Sequence, residues 1–282
     1  MTSSSGPGIS LKQEGISFLS ALELPAVIVN MTRGGPGLGN IAPAQSDYFQ
    51  ATRGGGHGDY RNIVFGPNSG QELADLTFEA FNLADQYRIP VIILGDGMLG
   101  QMMEPVELPP EIRLNQIPSK DWILTGAQGR PSRFIRSLIL DPVEEEEHNW
   151  KLMRKYEGII KEEERWETFL TEDANMIVVS FGIAARIAKG AIKRVREKGL
   201  KVGLIRPISL WPFPNKIIKE FAKKVRHFLV FEMNMGQMVE DVRLAIEGKG
   251  EVHFYGRPGG IVPTPREISR VISSKYYQKR LR

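Results

Sequence analysis

The sequence predicts an α/β fold in which parallel sheets are covered by helices on both faces. Short apolar runs alternate with amphipathic helical segments along most of the 282 residues, and this alternation is typical of strand–helix–strand units. Some runs, such as Val91-Ile92-Ile93-Leu94, are continuously apolar, as expected for strands buried on both faces. The length accommodates two domains, and a hydrophobic share of 41% is ordinary for a globular protein.

Residues 1–105 form the first predicted domain. Strands are expected at residues 25–30, 63–65 and 91–94, and helices at residues 10–20 and 70–87. A loop rich in Ser, Gly and Pro opens the chain, and no strand is expected ahead of the first helix. A loop that enters a helix normally follows a strand in such folds. We therefore expect this domain to be truncated at its N-terminus or to borrow strands from elsewhere.

Residues 106–172 are interpreted as a linker that carries one long helix. The segment 105–118 is rich in proline, which indicates an extended chain. Asp141 and Pro142 are typical of a helix start, and Glu144 occupies the carboxylate position of a capping box. The apolar face of the helix is predicted to consist of Trp150, Met153, Tyr156, Ile160 and Trp166.

Residues 173–282 form the second predicted domain, in which the strand–helix alternation returns. Strands are expected at residues 176–180, 202–205, 228–231 and 252–255, and helices at residues 184–198, 215–224 and 236–246. A last helix is predicted to start at Thr264-Pro265-Arg266-Glu267, which repeats the capping-box pattern with proline at the first turn.

The composition excludes several classes of function. The net charge of +4 comes from basic residues that are spread along the chain, without the dense patch that binds nucleic acid. The absence of cysteine excludes disulfides, thiolate nucleophiles and Cys-ligated zinc or iron–sulfur clusters on this polypeptide. No apolar stretch approaches the roughly 20 residues that span a bilayer, and the N-terminus lacks the pattern of a secretory signal, so we expect a cytoplasmic protein without membrane partners.

Arg33 is the main candidate for a ligand-binding residue. It follows the apolar run 25–30 and opens the segment Arg33-Gly34-Gly35-Pro36-Gly37-Leu38-Gly39. Ligands of parallel sheets bind outside the carboxyl ends of strands, glycines let a ligand approach the main chain, and a guanidinium grips a carboxylate with two parallel hydrogen bonds. These features predict a site for a small organic acid. A surface ion pair is the ordinary alternative.

Two further sets of residues are weaker candidates. His57 lies in the glycine-rich segment Gly54-Gly55-Gly56-His57-Gly58, where it could donate a proton or hydrogen bond to a ligand or simply occupy a solvent-facing turn. Ser4, Ser5 and Gly6 precede the first predicted helix and could hold an anion at its N-terminus. An ordinary serine cap is the alternative.

No metal ligand is predicted on this chain. Leu94-Gly95-Asp96-Gly97 resembles the start of the Gly-Asp-Gly metal motif of thiamine-diphosphate enzymes, but residues 120–125 lack the Asn that would complete it. Asp96 is therefore interpreted as a strand-end residue that caps a turn. The glycines after Arg33 fit neither the dinucleotide-binding fingerprint nor the P-loop pattern. Residues 232–237 follow a predicted strand and begin a helix, and we interpret them as a subunit interface. A ligand contact or an ordinary strand–helix loop with packed methionines is the alternative.

Six stretches of the chain resemble one family. They are residues 2–15, 33–36, 45–52, 54–60, 206–214 and 232–237. Together they resemble the α subunit of 2-oxoacid:ferredoxin oxidoreductases over nearly the whole chain, and within that family the 2-oxoisovalerate (branched-chain) type.

The resemblance implies a site that is shared between subunits. Residues 1–105 would belong to a domain of the type that binds the pyrimidine end of thiamine diphosphate, and residues 173–282 would resemble the C-terminal domain of transketolase. The diphosphate and Mg²⁺ would be held by a β subunit, with iron–sulfur clusters on the β and a ferredoxin-like subunit. A γ subunit, ferredoxin and coenzyme A are the other implied partners. Arg33 matches the arginine that binds the 2-oxoacid carboxylate. His57 would line the same pocket, and Ser4, Ser5 and Gly6 would contact the cofactor.

One departure from the family stands out. The family's α subunit has further strand–helix units upstream, with a glutamate that hydrogen-bonds the aminopyrimidine ring, and nothing in this sequence corresponds to them. We therefore expect this chain alone to be inactive. A truncated scaffold that only docks partner subunits is the alternative function, and a free-standing protein that binds small acids is a third.

Overall fold

The computed structural model describes residues 1–108 and 119–278. Its strands are β1 Thr2–Ser4, β2 Ala26–Thr32, β3 Ile63–Phe65, β4 Pro90–Asp96, β5 Trp166–Phe169, β6 Met176–Val179, β7 Val202–Pro207, β8 Ser209–Trp211, β9 His227–Glu232 and β10 Glu251–Gly256. Its helices are α1 Pro7–Ser10, α2 Gln13–Ala21, α3 Tyr48–Arg53, α4 Gly70–Tyr87, α5 Pro142–Glu162, α6 Gly182–Arg196, α7 Asn215–Ala222, α8 Met238–Ile246 and α9 Pro265–Gln278.

The strands form two five-stranded sheets. The first has the order β1-β2-β4-β3-β8, and the second has the order β10-β9-β6-β7-β5. All pairs are parallel except β3 with β8 and β5 with β7, which are antiparallel edge pairs. β3, β4, β6 and β7 are buried along their whole length, and each contains an apolar run of the kind expected for a strand covered on both faces.

Apolar side chains divide the molecule into layers. One cluster packs α4 and α5 against the outer face of the first sheet. A second cluster packs α6 and α9 against the outer face of the second sheet. The largest cluster lies between the two sheets and takes in residues of α2, α3, α7 and α8. Each sheet therefore has helices on both faces, in agreement with the predicted fold class.

One strand from the second half of the chain belongs to the first sheet. β8 comes from the second half of the sequence and extends the first sheet beside β3. Arg206 of β7 makes a two-pronged ion pair with Glu72 of α4, with N–O distances of 2.7 and 2.9 Å. Arg206 also donates from Nε to Glu167 of β5 at 2.8 Å. Because its side chain is only 4% exposed, this cation depends on both carboxylates.

The structure corrects two expectations about the elements. A strand does precede the first helix, because Thr2–Ser4 pairs with residues 28–30 of β2 in parallel register. The long helix ends at Glu162, so Trp166 lies in β5 instead of on the helix. Its buried residues are Leu152, Tyr156 and Ile159.

Of the predicted apolar stripe of that helix, Tyr156 is buried as expected, whereas Trp150 is 58% exposed and Met153 43% exposed. A buried stripe at residues 152, 156 and 159 has the same helical spacing but is rotated by about one residue. Most of the extended segment predicted at 105–118 lies outside the described residues. Among the described residues, no helix is both long and apolar enough to cross a membrane.

Candidate active site

Arg33 lies at the carboxyl edge of the first sheet, one residue beyond the end of β2. β1 ends beside β2, because Ser4 is paired with Asn30 in parallel register. The chain continues from β1 through Ser5 and Gly6 into α1, so both segments leave the sheet at the same edge. This is the edge at which open α/β sheets bind their ligands.

The guanidinium of Arg33 is held by its surroundings on two sides. Nε donates a hydrogen bond to Ser5 Oγ at 3.3 Å, and Nη1 donates to the carbonyl oxygens of Leu38 and Asn40, the latter at 2.9 Å. Within residues 1–108 and 119–278, no acceptor faces Nη2 at hydrogen-bond distance. The chain thus fixes the plane of the guanidinium and leaves one nitrogen, with two N–H groups, for a ligand.

Gly6 determines how closely the guanidinium can approach the main chain. A Cβ at this position would lie 2.8 Å from Nη2 and 2.9 Å from Cζ of Arg33, which is closer than van der Waals contact allows. The φ angle of Gly6 is +53°, in the left-handed region that favours glycine. Ser5 and Gly6 are therefore brought together with Arg33 at this edge of the sheet. Ser4 instead lies over Gly8, where a Cβ would collide with its Oγ.

Asn30 and Asp47 belong to the same edge and were missed by the sequence analysis. Asn30, which is 2% exposed, donates from Nδ2 to Asp47 Oδ2 at 3.0 Å. Its Oδ1 is buried without a hydrogen-bond partner among the described residues. Burial raises the pKa of the Asp47 carboxyl, and the Asn30 hydrogen bond and the positive charge of Arg33 oppose that rise. Nothing in the local sequence signals this pair, because the two residues are 17 positions apart.

The edge therefore offers complementary polar groups within a small region. Arg33 presents a cation with one free nitrogen, Ser5 a hydroxyl, and Asn30 a buried acceptor oxygen that lacks a donor. A buried acceptor without a donor is unfavourable unless a ligand or water supplies one. These residues fit a ligand with a carboxylate and with N–H donors, and an aminopyrimidine ring has such donors. The fit concerns the ring end of a thiamine cofactor, not its diphosphate.

His57 lies apart from this group. It is exposed and lines a separate cavity of about 520 Å³ together with Ser17, Tyr60, His148 and Leu152. Its glycine-rich segment packs on α2, where a Cβ at Gly56 would lie 2.7 Å from Ser17 Cβ. The lining of this cavity does not include Arg33, and the role of His57 stays a prediction.

Asp96 caps the turn after β4, as the sequence predicts. Its Oδ1 accepts hydrogen bonds from the N–H groups of Met98 and Leu99 at 3.0 and 3.1 Å. Burial raises the pKa of this carboxyl to about 6, although the N–H groups of Leu99, Met98 and Ile183 all lower it. A carboxylate that already accepts these bonds is poorly placed to bind Mg²⁺, which requires several oxygen ligands in octahedral order.

The loop after Arg33 is locked to the second sheet through Gln45, which is 2% exposed. Gln45 exchanges two hydrogen bonds of 3.0 Å with the main chain of Met233. Its Nε2 donates to the carbonyl of Phe181 at 3.0 Å, and its own carbonyl accepts from Asn234 Nδ2 at 2.9 Å. The segment 232–237, which the sequence analysis interpreted as a subunit interface, thus makes contacts within this chain.

Glu232, the last residue of β9, stabilises the segment 233–237 to which Gln45 is hydrogen-bonded. It is fully buried, and its carboxylate accepts hydrogen bonds from the N–H groups of Met238 and Val239 at 2.8 and 3.0 Å, at the start of α8. Asn234 Nδ2 donates to the same carboxylate at 2.9 Å. Burial raises the pKa of Glu232, and these donors oppose the rise. The carboxylate thus fixes the loop that holds Gln45.

Comparison with known proteins places this architecture in a family. Residues 1–165 match the thiamine-diphosphate-binding domain of pyruvate flavodoxin/ferredoxin oxidoreductases, and residues 174–268 match core domain II of pyruvate:ferredoxin oxidoreductase. The chain is 50% identical to a ketoisovalerate oxidoreductase subunit, VorB, of Methanothermobacter marburgensis over 96% of its own length and 77% of the relative's. The chain belongs to the 2-oxoacid:ferredoxin oxidoreductase family.

Other members of the 2-oxoacid:ferredoxin oxidoreductase family are more distant. A 2-oxoglutarate synthase subunit, KorA, of Methanothermobacter thermautotrophicus is 34% identical over 96% of this chain and 79% of the relative. The higher identity to the ketoisovalerate subunit agrees with the branched-chain resemblance in the sequence.

Solved structures confirm the fold class. A 2-oxoglutarate:ferredoxin oxidoreductase from Magnetococcus marinus, with 2-oxoglutarate, coenzyme A and succinyl-CoA bound, superposes with a TM-score of 0.80 at 23% identity. The match covers 98% of this chain and 52% of that one. A split-gene transketolase superposes with a TM-score of 0.55 at 15% identity, over 98% of this chain and 75% of the other. Both likenesses concern the fold.

Proposed function

We propose that this chain is the substrate-orienting subunit of a branched-chain 2-oxoacid:ferredoxin oxidoreductase. The overall reaction would convert a 2-oxoacid, coenzyme A and two oxidised ferredoxins to acyl-CoA, CO₂, two reduced ferredoxins and a proton. The observation that carries the proposal is the guanidinium of Arg33, fixed by Ser5 and the loop carbonyls, with Nη2 free beside Gly6. The 50% identity to a ketoisovalerate oxidoreductase subunit supports the branched-chain substrate.

Arg33 would hold the substrate carboxylate before it leaves as CO₂. Its positive charge and its two Nη2 N–H groups would fix the orientation of the carboxylate. The Ser5 hydrogen bond and the carbonyls of residues 38 and 40 would keep the guanidinium plane constant during the reaction. Thiamine diphosphate, when bound, supplies the carbon nucleophile that adds to the oxo carbon. His57 is a second, more distant candidate for contact with substrate.

Asn30 and the segment 4–6 would contact the pyrimidine ring. Asn30 Oδ1 would accept a hydrogen bond that it lacks within the described chain. Ser4, Ser5 and Gly6 would line the cofactor at the end of β1. Mg²⁺, the diphosphate and the iron–sulfur clusters would be held by partner subunits. Asp96 is already occupied as a turn cap, and a chain without cysteine offers no thiolate to a cluster.

Exposed apolar side chains support the proposal that β, γ and ferredoxin-like subunits bind this chain. Between residues 124 and 150 several large apolar residues face solvent, namely Leu124, Phe134, Leu138, Leu140, Val143 and Trp150. Phe134 and Leu140 are 84% and 85% exposed. A concentration of such residues is typical of a surface that another protein covers. The cytoplasmic location stays a prediction.

The experiment that tests this function compares Arg33→Ala with wild type after assembly with the partner subunits. We expect the KM for the 2-oxoacid to rise by about tenfold to a hundredfold or activity to be lost, because a charge-assisted hydrogen bond to substrate is removed. Arg194→Ala, an exposed position on α6, is the control and should leave KM unchanged. Ferredoxin reduction with 2-oxoisovalerate gives the rates.

The same experiment separates the enzyme from a scaffold that only docks partners. The exposed apolar surface favours docking in either case, so both functions predict that the Arg33→Ala protein still copurifies with its partners. Assembly with loss of turnover supports the catalytic function. Assembly with unchanged KM and kcat would assign Arg33 no part in the reaction and would favour the scaffold.

A further inference from the structure

We propose that His227, Glu251 and His253 form a binding site for a divalent transition metal such as Zn²⁺. The three residues lie at the amino-terminal ends of β9 and β10, in the second sheet. Glu232, which supports the loop around Gln45, lies at the opposite end of β9. The site is therefore separate from the edge that carries Arg33 and does not depend on the proposed function.

The register of two parallel strands brings these residues together. Glu251 is paired directly with His227, and His253 follows two residues later on β10. Residues that are paired across two strands project from the same face of a sheet, as do residues two positions apart on one strand. All three side chains consequently project from one face. Neither strand alone carries the pattern, so it is not visible in the local sequence, from which no metal ligand is predicted on this chain.

The distances agree with a common metal ion. Glu251 Oε2 lies 3.6 Å from His227 Nδ1, and Glu251 Oε1 lies 3.4 Å from His253 Nε2. One ligand atom from each residue can be chosen so that all three lie within 4.8 Å of one another. Tetrahedral zinc with bonds of about 2.0–2.1 Å places its ligand atoms roughly 3.3 Å apart. Small rotations of the three side chains would bring all three ligand atoms to the separation of roughly 3.3 Å that tetrahedral zinc requires.

The chemistry of the three ligands favours a transition metal. Two imidazoles with one carboxylate suit Zn²⁺, Ni²⁺ or Cu²⁺, whereas Mg²⁺ and Ca²⁺ prefer sites made of oxygen. The imidazole side chains are 19% and 17% exposed and the carboxylate is 42% exposed. The imidazoles are thus held against the sheet, and water or another group can occupy the fourth position. A proton-dependent ion pair between histidine and glutamate is the competing interpretation.

A bound metal would stabilise the pairing of β10, an edge strand of the second sheet, with β9. β10 is the last strand on its side, and its residues are only partly buried. Its connection to the rest of the sheet is the parallel ladder to β9. A metal that bridges the first residues of both strands would add a cross-link at the end of this ladder, and the folded state should become more stable when the metal binds.

Titration of the full 282-residue chain with Zn²⁺ tests the proposal, using calorimetry near pH 7.5. We expect one Zn²⁺ per chain, a rise in the melting temperature on zinc addition, and at least tenfold weaker binding for His227→Gln and for His253→Gln. Glu251→Gln should also weaken binding. His57→Gln is the matched control, because His57 is exposed and outside the cluster, and its affinity for Zn²⁺ should equal that of wild type.

Substitution with Co²⁺ gives a second measurement. A cobalt ion with two imidazole nitrogens and one carboxylate should show visible absorption of the intensity typical of four- or five-coordinate cobalt, and His253→Gln should remove it. Circular dichroism establishes that each variant is folded. Two results would overturn the proposal: no zinc binding at 100-fold excess over protein, or binding that is unchanged in the folded His227→Gln and His253→Gln variants.

Discussion

Gly6 is the residue on which the position of the Arg33 guanidinium depends. In Gly6→Ala the new Cβ would lie 2.8 Å from Nη2, and the φ of +53° would be strained for alanine by about 1 kcal/mol. We expect the KM for the 2-oxoacid to rise at least about fivefold in the assembled enzyme, although Arg33 itself is still present. Steady-state kinetics and thermal denaturation provide the measurement.

Gly15→Ala is the matched control for Gly6→Ala. Gly15 lies in α2, and a Cβ there meets nothing within 4 Å. Alanine should stabilise this helix by about 0.5–1 kcal/mol and leave KM unchanged. Equal KM values for Gly6→Ala and wild type would show that the contact between Gly6 and the guanidinium does not control substrate binding.

Because the pKa of Asp96 is raised in the folded state, its contribution to the free energy of unfolding decreases as the pH rises. A salt-bridged carboxylate, whose pKa is lowered, has the opposite effect. The pKa of Asp96 is raised from 3.8 to about 6 by burial, so between these values the folded chain keeps a proton that the unfolded chain releases. The stabilising contribution is complete below about pH 4 and is lost as the pH rises through about 6. Asp96→Asn removes this titration while its Oδ1 can still cap Met98 and Leu99.

The difference in unfolding free energy between wild type and Asp96→Asn should therefore fall by roughly 2–3 kcal/mol from pH 4 to pH 7. Urea denaturation at several pH values gives both free energies. Other titrating groups are common to the two proteins and cancel in the difference. A difference that stays constant with pH would mean that the Asp96 carboxyl titrates normally in the folded state.

At the scale of the elements, the buried ion pair of Arg206 connects β7 to α4 and β5. Arg206→Met would leave the carboxylates of Glu72 and Glu167 without their shared cation, and we expect a loss of about 3–5 kcal/mol of stability. Lys219→Ala is the control, because Lys219 and its partner Glu247 are each nearly half exposed. That change should cost less than about 1 kcal/mol. Similar losses of unfolding free energy in Arg206→Met and Lys219→Ala would show that the buried ion pair contributes no more to stability than the exposed one.

The elements that the sequence predicts are those with their own periodicity. The strands near residues 27, 64, 92, 177, 204 and 229 have continuous apolar runs, and α4 and α6 have clear apolar faces. β1 escapes prediction because Thr2–Ser4 is short, polar and mostly exposed. β5 and β8 are short antiparallel edge strands whose pairing depends on distant partners. Local sequence carries little information about such contacts.

The residues of the candidate site also differ in whether the sequence alone could predict their positions. The position of Arg33 could be predicted, because it follows a strand end that is visible in the sequence and precedes a run of glycines. The position of Ser5 and Gly6 beside it could not, because β1, which brings them to this edge, escapes prediction. The Asn30–Asp47 pair could not, because its partners meet through the fold of the intervening loop. The cluster of His227, Glu251 and His253 likewise requires the register of two strands.

At the scale of the whole molecule, one apolar cluster joins the two sheets. Ile28 and Ile92 of the first sheet belong to the same cluster as Ile177 and Val230 of the second. Gln45 adds hydrogen bonds that cross from the first half of the chain to the second. The predicted domain boundaries at residues 105 and 173 therefore separate parts of the sequence that share a core, and we expect one cooperative unfolding transition.

Denaturation followed by two probes checks this cooperativity. Trp211 lies in β8 of the first sheet and makes an edge-on contact with Tyr156 at 5.8 Å, whereas far-UV circular dichroism reports both sheets. In a variant that keeps Trp211 as its single tryptophan, with Trp122, Trp150 and Trp166 replaced by Phe, the fluorescence transition should coincide with the loss of circular dichroism, because β8 belongs by sequence to the second half of the chain but lies in the first sheet. A fragment of residues 173–282 should not fold to its native form, since it would lack β5 and would expose the apolar face shared with Ile28 and Ile92. Two separate transitions, or a fragment with native-like cooperative unfolding, would show that each half is stable on its own.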